Sequence, residues 1–540
     1  MLVRKKDILS FYDKVKKLAV SSLEKERYED AVAYTNAAAE IAYRFNWMYR
    51  DDELEDILIK VSNRLVCRNE SYVAVGGRCV MYVAALLDNR GIIQQYLRAL
   101  MFYADKLLVI VERPYGDEGR DTVRELKACE KAELYILPEE LSLKARSQLL
   151  YDKIVSFQPE RLFMHLWPWS GFAVSVFNVL PSEIIRYQIN LTDHAFWLGC
   201  SCSDYVFEFR PYGCTVSEER RGIAREKLLL QPYYPIKNRW PFAGFPENTA
   251  GKTVLFSGGG LYKIYGAGGK YFEIVKDILD LYPDVVLLYA GTGDTAPFER
   301  FIKENNFCNR IFLLGFRKDI TAIFEHCDIY LNTYPASGGL MCQYAAMAAK
   351  PVLAYNREED RARFIEEVVC VNRPYKITYT DAVSLVEEAG RLIEDASYRK
   401  RRGEELHDAV VTPEQFGSDL KKILTCNTSL RNYERVDIDY DAFCEGYIDR
   451  ENHYTDTFKR FVIRKFKFRT AWLFPRVFRW FVGYVLSGRL LAIWCAVEKD
   501  EYGSEKDSEI LFVGSCLLYV FVQTAQQVAV SRMVDVLFAI

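Results

Sequence analysis

LNTYPASGGLMCQYAAMAAKPV, residues 331–352, joins a strand, a turn and a helix without interruption. Residues 329–331 continue an apolar strand, residues 335–339 form a turn with two glycines, and residues 341–349 are rich in good helix formers. Glycines let the backbone approach a ligand closely, and the N–H groups at a helix start favour negative charge. The stretch therefore predicts a phosphate-binding turn. The alternative is an ordinary strand-to-helix turn of an α/β domain.

Three strand-to-turn segments precede this stretch, and each ends in glycine. Residues 253–257 (TVLFS) run into GGG and LYKI, and a helix follows to about residue 281. Residues 285–289 precede GTGD, and residues 310–314 precede GF. Because strands alternate with helices, residues 251–425 are predicted to form a doubly wound parallel sheet. Its glycine turns cluster at the edge where such folds bind ligands.

The order of these motifs resembles the nucleotide-sugar half of GT-B glycosyltransferases. The nearest resemblance is to the branch with the O-linked N-acetylglucosamine transferases, whose LDTFPYNGGTT…DALWMGVPVV lies over residues 331–353 without a gap. That branch also carries YKI after its first strand, matching Tyr262, Lys263 and Ile264. The resemblance covers the second third of the chain well and the first half by architecture alone. It implies an α/β fold of the GT-B class, with two Rossmann-like doubly wound domains.

The resemblance also implies a donor site. The donor would be a nucleotide-sugar, with a UDP-sugar favoured, and neither a cofactor nor a metal would be required. Lys263, after the triple glycine, would neutralise the leaving diphosphate; the alternative is a solvated surface lysine. Residues 315–318 would face the nucleobase. The predicted donor-binding residues are Gly258, Gly259, Gly260, Lys263, Gly291, Gly315, Phe316, Arg317, Ser337, Gly338, Gly339, Leu340 and Tyr344.

The chain departs from the family pattern in two places. Leu340, Met341 and Cys342 stand where the family has threonines on the donor pyrophosphate, so backbone N–H groups alone would serve. Tyr344, beside Gln343, stands where the family has an acidic residue for the donor ribose. These departures leave the identity of the donor open.

Residues 71–250 form another α/β series, which is the predicted acceptor domain. Two histidines in it, His165 and His194, directly follow apolar strands, and Asp193 precedes the second. The ends of parallel strands face the ligand cleft, and histidine suits general-base work at neutral pH. Asp193 or His194 is therefore predicted to accept the proton of the acceptor. The alternative is that both histidines are packed, hydrogen-bonded structural residues. The predicted strands are CVMYVAALL, KLLVIVER, ELYILP, RLFMHL, IIRYQIN and YVFEFR.

Two flanking regions have different compositions. Residues 1–68 have helical periodicity and resemble one tetratricopeptide-like hairpin, which would pack on the catalytic body or bind a partner. Residues 426–540 form an extension in which basic and aromatic side chains interleave. Residues 458–497 of it are predicted to lie on an anionic membrane surface; the alternative is an appendage packed on the body. The apolar run 480–497 is interrupted by Arg489 and is short for spanning a bilayer.

Composition sets further bounds. The 540 residues carry 71 basic and 74 acidic side chains, so no general nucleic-acid footprint is present. Fourteen cysteines are scattered, and the N-terminus lacks a hydrophobic export signal, which together predict a cytoplasmic protein. The basic and aromatic segment 458–497 would make it peripheral at the inner face of the membrane. Cys200, Cys202 and Cys214 cluster without an obvious fourth ligand, so no metal site is predicted.

The combined prediction is a metal-independent hexosyl- or N-acetylhexosaminyltransferase, with His194, Asp193 and Lys263 as its catalytic residues. It would move a sugar from a nucleotide-sugar to a glycan, a lipid-linked acceptor or a protein. The alternatives are a non-catalytic partner or chaperone subunit of the same fold, suggested by the lost threonines, and a nucleotide-sugar epimerase.

Overall fold

The computed structural model describes residues 2–69, 71–88, 92–190 and 192–486. The chain divides into two compact units, Leu2–Arg460 and Phe461–Ile540. The first unit contains a helical N-terminal region and two parallel sheets, and the described part of the second unit is helical.

The N-terminal region is helical, as predicted, but it contains three helices where the predicted hairpin has two. Ile8, Phe11 and Val15 recur at helical spacing and are buried. The third helix starts after Asp51, whose carboxylate caps it by accepting hydrogen bonds from the N–H groups of Glu53 and Leu54. Its apolar residues have the same helical spacing, a signal the hairpin prediction did not use. The helices are α1 Lys5–Glu24, α2 Tyr28–Phe45 and α3 Asp52–Leu65.

The predicted acceptor half contains a seven-stranded parallel sheet. Its strands are β1 Val75–Val83, β2 Lys106–Val111, β3 Ala132–Ile136, β4 Pro159–His165, β5 Ile185–Ile189, β6 Tyr205–Glu208 and β7 Leu228–Leu230. The strands lie in the order β3-β2-β1-β4-β5-β6-β7. Strands β2 and β3 are thus added on one side of β1, and strands β4 to β7 on the other. Six strands were predicted; β7 is three residues long and was missed, because so short an apolar run has no period. The helices are α4 Ile93–Tyr103, α5 Arg120–Lys127, α6 Leu143–Phe157, α7 Gly171–Phe177 and α8 Pro211–Arg220.

The predicted donor half contains a six-stranded parallel sheet. Its strands are β8 Thr253–Gly258, β9 Val285–Ala290, β10 Ile311–Gly315, β11 Ile329–Leu331, β12 Val352–Tyr355 and β13 Thr378–Tyr379. The order β10-β9-β8-β11-β12-β13 confirms a doubly wound sheet with its reversal between β8 and β11. The helices are α9 Lys270–Leu281, α10 Ala296–Glu304, α11 Ile320–His326, α12 Gly339–Met347, α13 Glu366–Val369, α14 Ala382–Glu394, α15 Ala396–His407 and α16 Pro413–Cys426.

Helix α16 follows the second sheet in sequence but packs on the first. The Phe416 ring lies 5.2 Å from that of Tyr96 and 5.5 Å from that of Tyr234. The Arg161 guanidinium donates to the Leu424 carbonyl at 3.1 Å. The core of the first sheet is therefore completed by residues from beyond the second sheet.

The C-terminal region continues as α17 Tyr440–His453 and α18 Thr457–Phe466, followed by α19 Thr470–Leu473 and α20 Pro475–Leu486. Within the described ranges, none of the helices combines the length and apolar character needed to cross a bilayer. The predicted surface segment 458–497 is described as far as residue 486, and its remainder lies outside the described residues.

The N-terminal helices support the loops that follow β4 and β5. The Glu55 carboxylate of α3 is buried and accepts hydrogen bonds from the N–H groups of Gly199 (2.8 Å) and Cys200 (3.2 Å) and from the Ser201 hydroxyl (2.5 Å). Burial raises the pKa of Glu55, and these hydrogen bonds oppose that rise. Asn36 of α2 accepts from the Gly171 N–H at 3.0 Å. These loops therefore depend on α2 and α3 for their shape.

Replacing Glu55 by alanine is expected to lower the free energy of unfolding by about 3 kcal/mol or more, since several buried donors lose their acceptor together. Glu53→Ala is the matched control, because Glu53 is an exposed α3 glutamate in a surface ion pair with Lys16, and such pairs contribute little. Urea unfolding followed by circular dichroism measures both. Equal effects of the two substitutions would contradict the supporting role of Glu55.

Candidate functional site

The glycine turns at the carboxyl ends of β8, β9 and β10 are joined by backbone hydrogen bonds. The Gly259 N–H donates to the Ala290 carbonyl and the Gly291 N–H to the Gly315 carbonyl, both at 2.9 Å. A side chain on Gly291 would overlap the Gly259 carbonyl, and Gly259 has a φ of +133°. Only glycine allows this approach at both positions. The predicted residues Gly291 and Gly315 thus shape the edge of the sheet by packing and backbone pairing.

Helix α12 begins at Gly339, so the predicted residues Ser337 to Leu340 form its entry and first turn. The Gly338 N–H donates to Asn332 Oδ1 at 3.0 Å, which fixes the turn on the end of β11. The first N–H groups of a helix have no carbonyl partner within the helix. A helix start behind a glycine pair is therefore present at this sheet edge, and its binding of an anion stays a prediction.

Lys263 lies in a 3-10 helix, Leu261–Ile264, and is tied to the α12 turn. Its carbonyl accepts from the Ala336 N–H at 3.1 Å, and its Nζ lies 3.5 Å from the Ser337 carbonyl. A Cβ on Gly259 would lie 3.3 Å from Lys263 Cδ, so the lysine stem runs along the glycine loop. The structure thus brings together the lysine, the glycine loop and the helix start.

The second cluster lies at the carboxyl ends of β5 and β6. Asp193 is 1% exposed and forms an ion pair with Arg210 at 2.5 Å. His194 Nδ1 lies 3.2 Å from the other carboxylate oxygen, and the His194 side chain is 37% exposed. Burial would raise the pKa of Asp193, but the charge of Arg210 and the hydrogen bonds from both neighbours hold it well below its ordinary value. Asp193 is therefore an anion that orients His194, and the role of either residue as the base stays a prediction.

A buried polar network holds the loop that carries these two residues. The Arg221 guanidinium donates to the carbonyls of Asp193 (3.0 Å) and Ala195 (2.5 Å) and to the Ser217 hydroxyl (2.9 Å). Glu208 Oε1 accepts from Ser217 and from Asn190 Nδ2 at 2.8 Å. Burial raises the pKa of Glu208 to about 7, although Arg221 and the two hydrogen bonds lower it.

Contacts between the two halves place both clusters in one region, which we call the cleft. The Tyr212 N–H, at the start of α8, donates to Glu367 at 3.2 Å. A Cβ on Gly339 would lie 3.9 Å from the Tyr233 hydroxyl. Burial raises the pKa of Tyr233, while the Arg210 charge opposes this rise. Tyr233 therefore lies near the α12 start, and the charges of Arg210 and Asp193 affect the pKa of its hydroxyl.

Arg210, Glu367 and Tyr233 were missed by the sequence analysis. Arg210 follows β6, so the rule that selected His194, a polar residue after a strand, would have found it. Glu367 and Tyr233 come from a short helix and a linker with no motif, and only their tertiary contacts identify them.

Three predicted contacts are placed differently. Tyr344 is 3% exposed and packs in the core, 6.2 Å from the Phe324 ring, so its position gives no support to the donor-ribose assignment, which stays a prediction. The Arg317 guanidinium is committed to Asp319 (2.6 and 2.7 Å) and to the Gly244 carbonyl, and it fixes the linker between the halves. Phe316 beside it is 57% exposed. His165 is buried at the end of β4. This burial favours the alternative that His165 is a packed structural residue.

Comparison with solved structures matches the chain to a mutant of the O-GlcNAc transferase of Thermobaculum terrenum, with a TM-score of 0.50 and 15% identity over 82% of each chain. Anabaena Alr3699/HepE in complex with UDP and glucose matches with a TM-score of 0.46 and 13% identity, covering 64% of this chain and 99% of that one. UDP-GlcNAc 2-epimerase from Neisseria meningitidis matches at 0.42 and 13%, covering 64% and 98%. No protein-family model and no curated protein sequence matches the chain. The GT-B resemblance is confirmed at the level of the fold.

Replacing Glu208 by glutamine tests the buried network through pH. The raised pKa means that the fold favours the protonated carboxyl. Its stabilisation is fully present below the unfolded-state pKa of about 4.5 and is lost as the pH rises through about 7. Between pH 5 and 8 the wild-type free energy of unfolding should fall by up to about 3 kcal/mol more than that of Glu208→Gln.

Urea unfolding at a series of pH values measures this difference. Glu247→Gln, at an exposed glutamate, serves as the control and should follow the wild type. Parallel profiles for wild type and Glu208→Gln would show that Glu208 does not take up a proton on folding.

Proposed function

We propose that this chain is a glycosyltransferase that transfers a sugar from a nucleotide-sugar donor to a hydroxyl of a glycan, lipid-linked or protein acceptor. The observation that carries the proposal is one cleft containing two kinds of group. Lys263 and the α12 start supply positive charge on one side, and His194, held by the Asp193–Arg210 pair, lies on the other. The motif resemblance favours a UDP-sugar.

The donor side would bind the diphosphate. Backbone N–H groups of the first α12 turn and the Lys263 ammonium would face the leaving nucleotide diphosphate, where negative charge grows as the glycosidic bond breaks. Leu340, Met341 and Cys342 carry no hydroxyls, so this recognition would use the backbone. Cys342 is buried in the core, so the side chain at that position packs against the protein.

The acceptor side would take the proton. With Nδ1–H donating to Asp193, His194 Nε2 is the acceptor nitrogen. The acceptor hydroxyl would lose its proton to Nε2 as its oxygen bonds to the anomeric carbon, while the bond from that carbon to the diphosphate oxygen breaks. Asp193, kept ionised by Arg210, stabilises the resulting imidazolium.

A thermal-shift series with UDP, GDP and dTDP sugars tests the donor class directly, because a ligand that binds only the folded protein raises its melting temperature. A shift with one nucleotide-sugar and turnover with an acceptor supports the proposal. A bound nucleotide-sugar without turnover would favour a non-catalytic partner. Conversion of the free nucleotide-sugar without any acceptor would favour an epimerase.

Lys263→Ala should lower turnover on the order of a hundredfold, because it removes a charged contact to the leaving diphosphate. Lys270→Ala is the control, as Lys270 forms a surface ion pair with Glu273 at the start of α9. Steady-state rates with the donor found by thermal shift provide the measurement. Near-normal turnover in Lys263→Ala would remove the lysine from the assigned role.

We further propose that the second unit holds the enzyme on an anionic membrane surface. Residues 461–486 contain six basic and no acidic side chains. Phe468 and Trp472 within them are 75% and 64% exposed. Basic side chains attract anionic headgroups, while exposed aromatic rings enter the headgroup boundary.

Phe468→Ser with Trp472→Ser should lower binding to phosphatidylserine vesicles on the order of tenfold, since two aromatic insertions are lost. Val383→Ser is the control, because Val383 is an equally exposed apolar residue of the first unit. Vesicle flotation at low and at physiological salt measures binding, and higher salt should weaken it. Flotation of the double variant equal to wild type, or no flotation of either, would reject the membrane role.

A further inference from the structure

Helix α17 connects the two halves of the first unit, although it belongs to the C-terminal extension. At its start, the Tyr440 hydroxyl donates to Glu219 of α8 at 2.8 Å, and the Arg220 guanidinium lies 3.9 Å from the Tyr440 ring centroid. Just after its end, the Tyr454 ring stacks on Tyr265 at 5.7 Å. Its 14 residues span about 21 Å at 1.5 Å per residue. The helix thus runs from the acceptor half to the donor loop that contains Lys263.

Arg450, near the end of this helix, lies on the wall of the glycine loop. Its guanidinium is 5.3 Å from the Tyr262 ring centroid and 4.6 Å from that of Tyr447. Tyr262 directly precedes Lys263, and a Cβ on Gly260 would lie 2.7 Å from its ring. The aromatic contacts therefore hold the Arg450 guanidinium beside the loop that faces the proposed diphosphate.

The neighbouring residue gives an independent link to the α12 turn. A Cβ on Gly266 would lie 3.4 Å from Pro335 Cγ and 4.0 Å from Asp449 Oδ2. Pro335 is two residues before Ser337. The end of α17 thus borders both segments of the proposed diphosphate site.

The charge of Arg450 is not neutralised within the described part of the chain. No carboxylate there forms an ion pair with its guanidinium, and no protein group there accepts a hydrogen bond from it. The adjacent Asp449 carboxylate is hydrogen-bonded to His453 Nδ1 at 2.8 Å. Ring contacts use the faces of a guanidinium and leave its in-plane N–H groups for an anion, which a phosphate fits in a bidentate manner.

We propose that Arg450 is the anion-binding residue of a phosphate subsite at the edge of the cleft. The inference rests on the proposed function and deepens it, because it assigns a phosphate contact to a helix outside both halves. The phosphate would come either from the donor diphosphate or from a phosphorylated acceptor beside it.

Calorimetric titration of the full chain with UDP, with uridine, and with inorganic pyrophosphate after saturation with UDP distinguishes these sources. Arg450→Ala should weaken either UDP or pyrophosphate binding on the order of tenfold or more, and uridine binding should not change. Arg450→Lys keeps the charge without the planar fork, so it should lie between wild type and Arg450→Ala. Arg435→Ala is the control, because Arg435 precedes α17 and forms an exposed ion pair with Glu218.

The outcomes separate the subsite from the proposed function. Loss of UDP affinity in Arg450→Ala alone assigns the donor diphosphate, and loss of pyrophosphate binding at unchanged UDP affinity assigns an acceptor phosphate. A wild type that binds pyrophosphate through Arg450 but not UDP keeps the subsite and rejects the UDP donor. Equal affinities of wild type and Arg450→Ala for both probes, with equal melting temperatures, overturn the subsite, as does a wild type that binds neither.

Discussion

The buried ion pair between Asp193 and Arg210 is the interaction on which the rest of the cleft depends. Both charges are removed from water, so each is tolerable only because the other is present. Removing one partner of such a pair typically costs about 3–5 kcal/mol, while replacing both by apolar residues is often neutral. Stability alone therefore does not account for the pair. The position of the pair accounts for it. Asp193 orients His194, the Arg210 charge opposes the rise in the Tyr233 pKa, and the pair lies beside the start of α8, which donates a hydrogen bond to Glu367.

The two halves of the cleft use different chemistry. The proposed donor side is built mainly from backbone, with glycine turns that pair with one another and a helix start that presents N–H groups beside Lys263. The proposed acceptor side is built from charged side chains on a loop that Arg221 and Glu208 hold. Backbone recognition does not depend on which side chains follow Gly339. Leu340, Met341 and Cys342, which carry no hydroxyl groups, are therefore compatible with the proposed diphosphate site.

Much of the fold could be predicted because both sheets are parallel and buried, which gives their strands continuous apolar runs between turns. The turn of residues 335–339 was predicted for the same reason, since it lies at a strand end and contains two glycines. The assignment of Lys263 came from the family resemblance, and its role stays a prediction. The prediction missed β7, which is too short to have a period. The burial of Tyr344 on α12 also had no signal in the sequence, because tertiary packing decides it. Tyr233 and Glu367 have no local signal at all.

The terminal regions show the same contrast between helices that the sequence predicts and tertiary contacts that it does not. Residues 1–68 were predicted as a hairpin that packs on the body or binds a partner. Two of their polar side chains, Glu55 and Asn36, accept hydrogen bonds from the loops after β5 and β4. Val3 and Asn452 exchange two hydrogen bonds, so the N-terminal region is also tied to α17. The N-terminal region before the first sheet is thereby joined to the helix that follows the second sheet. Because Arg450 of α17 contacts Tyr262 and Tyr454 just after α17 contacts Tyr265, packing connects the loop that carries Lys263 to the N-terminal helices.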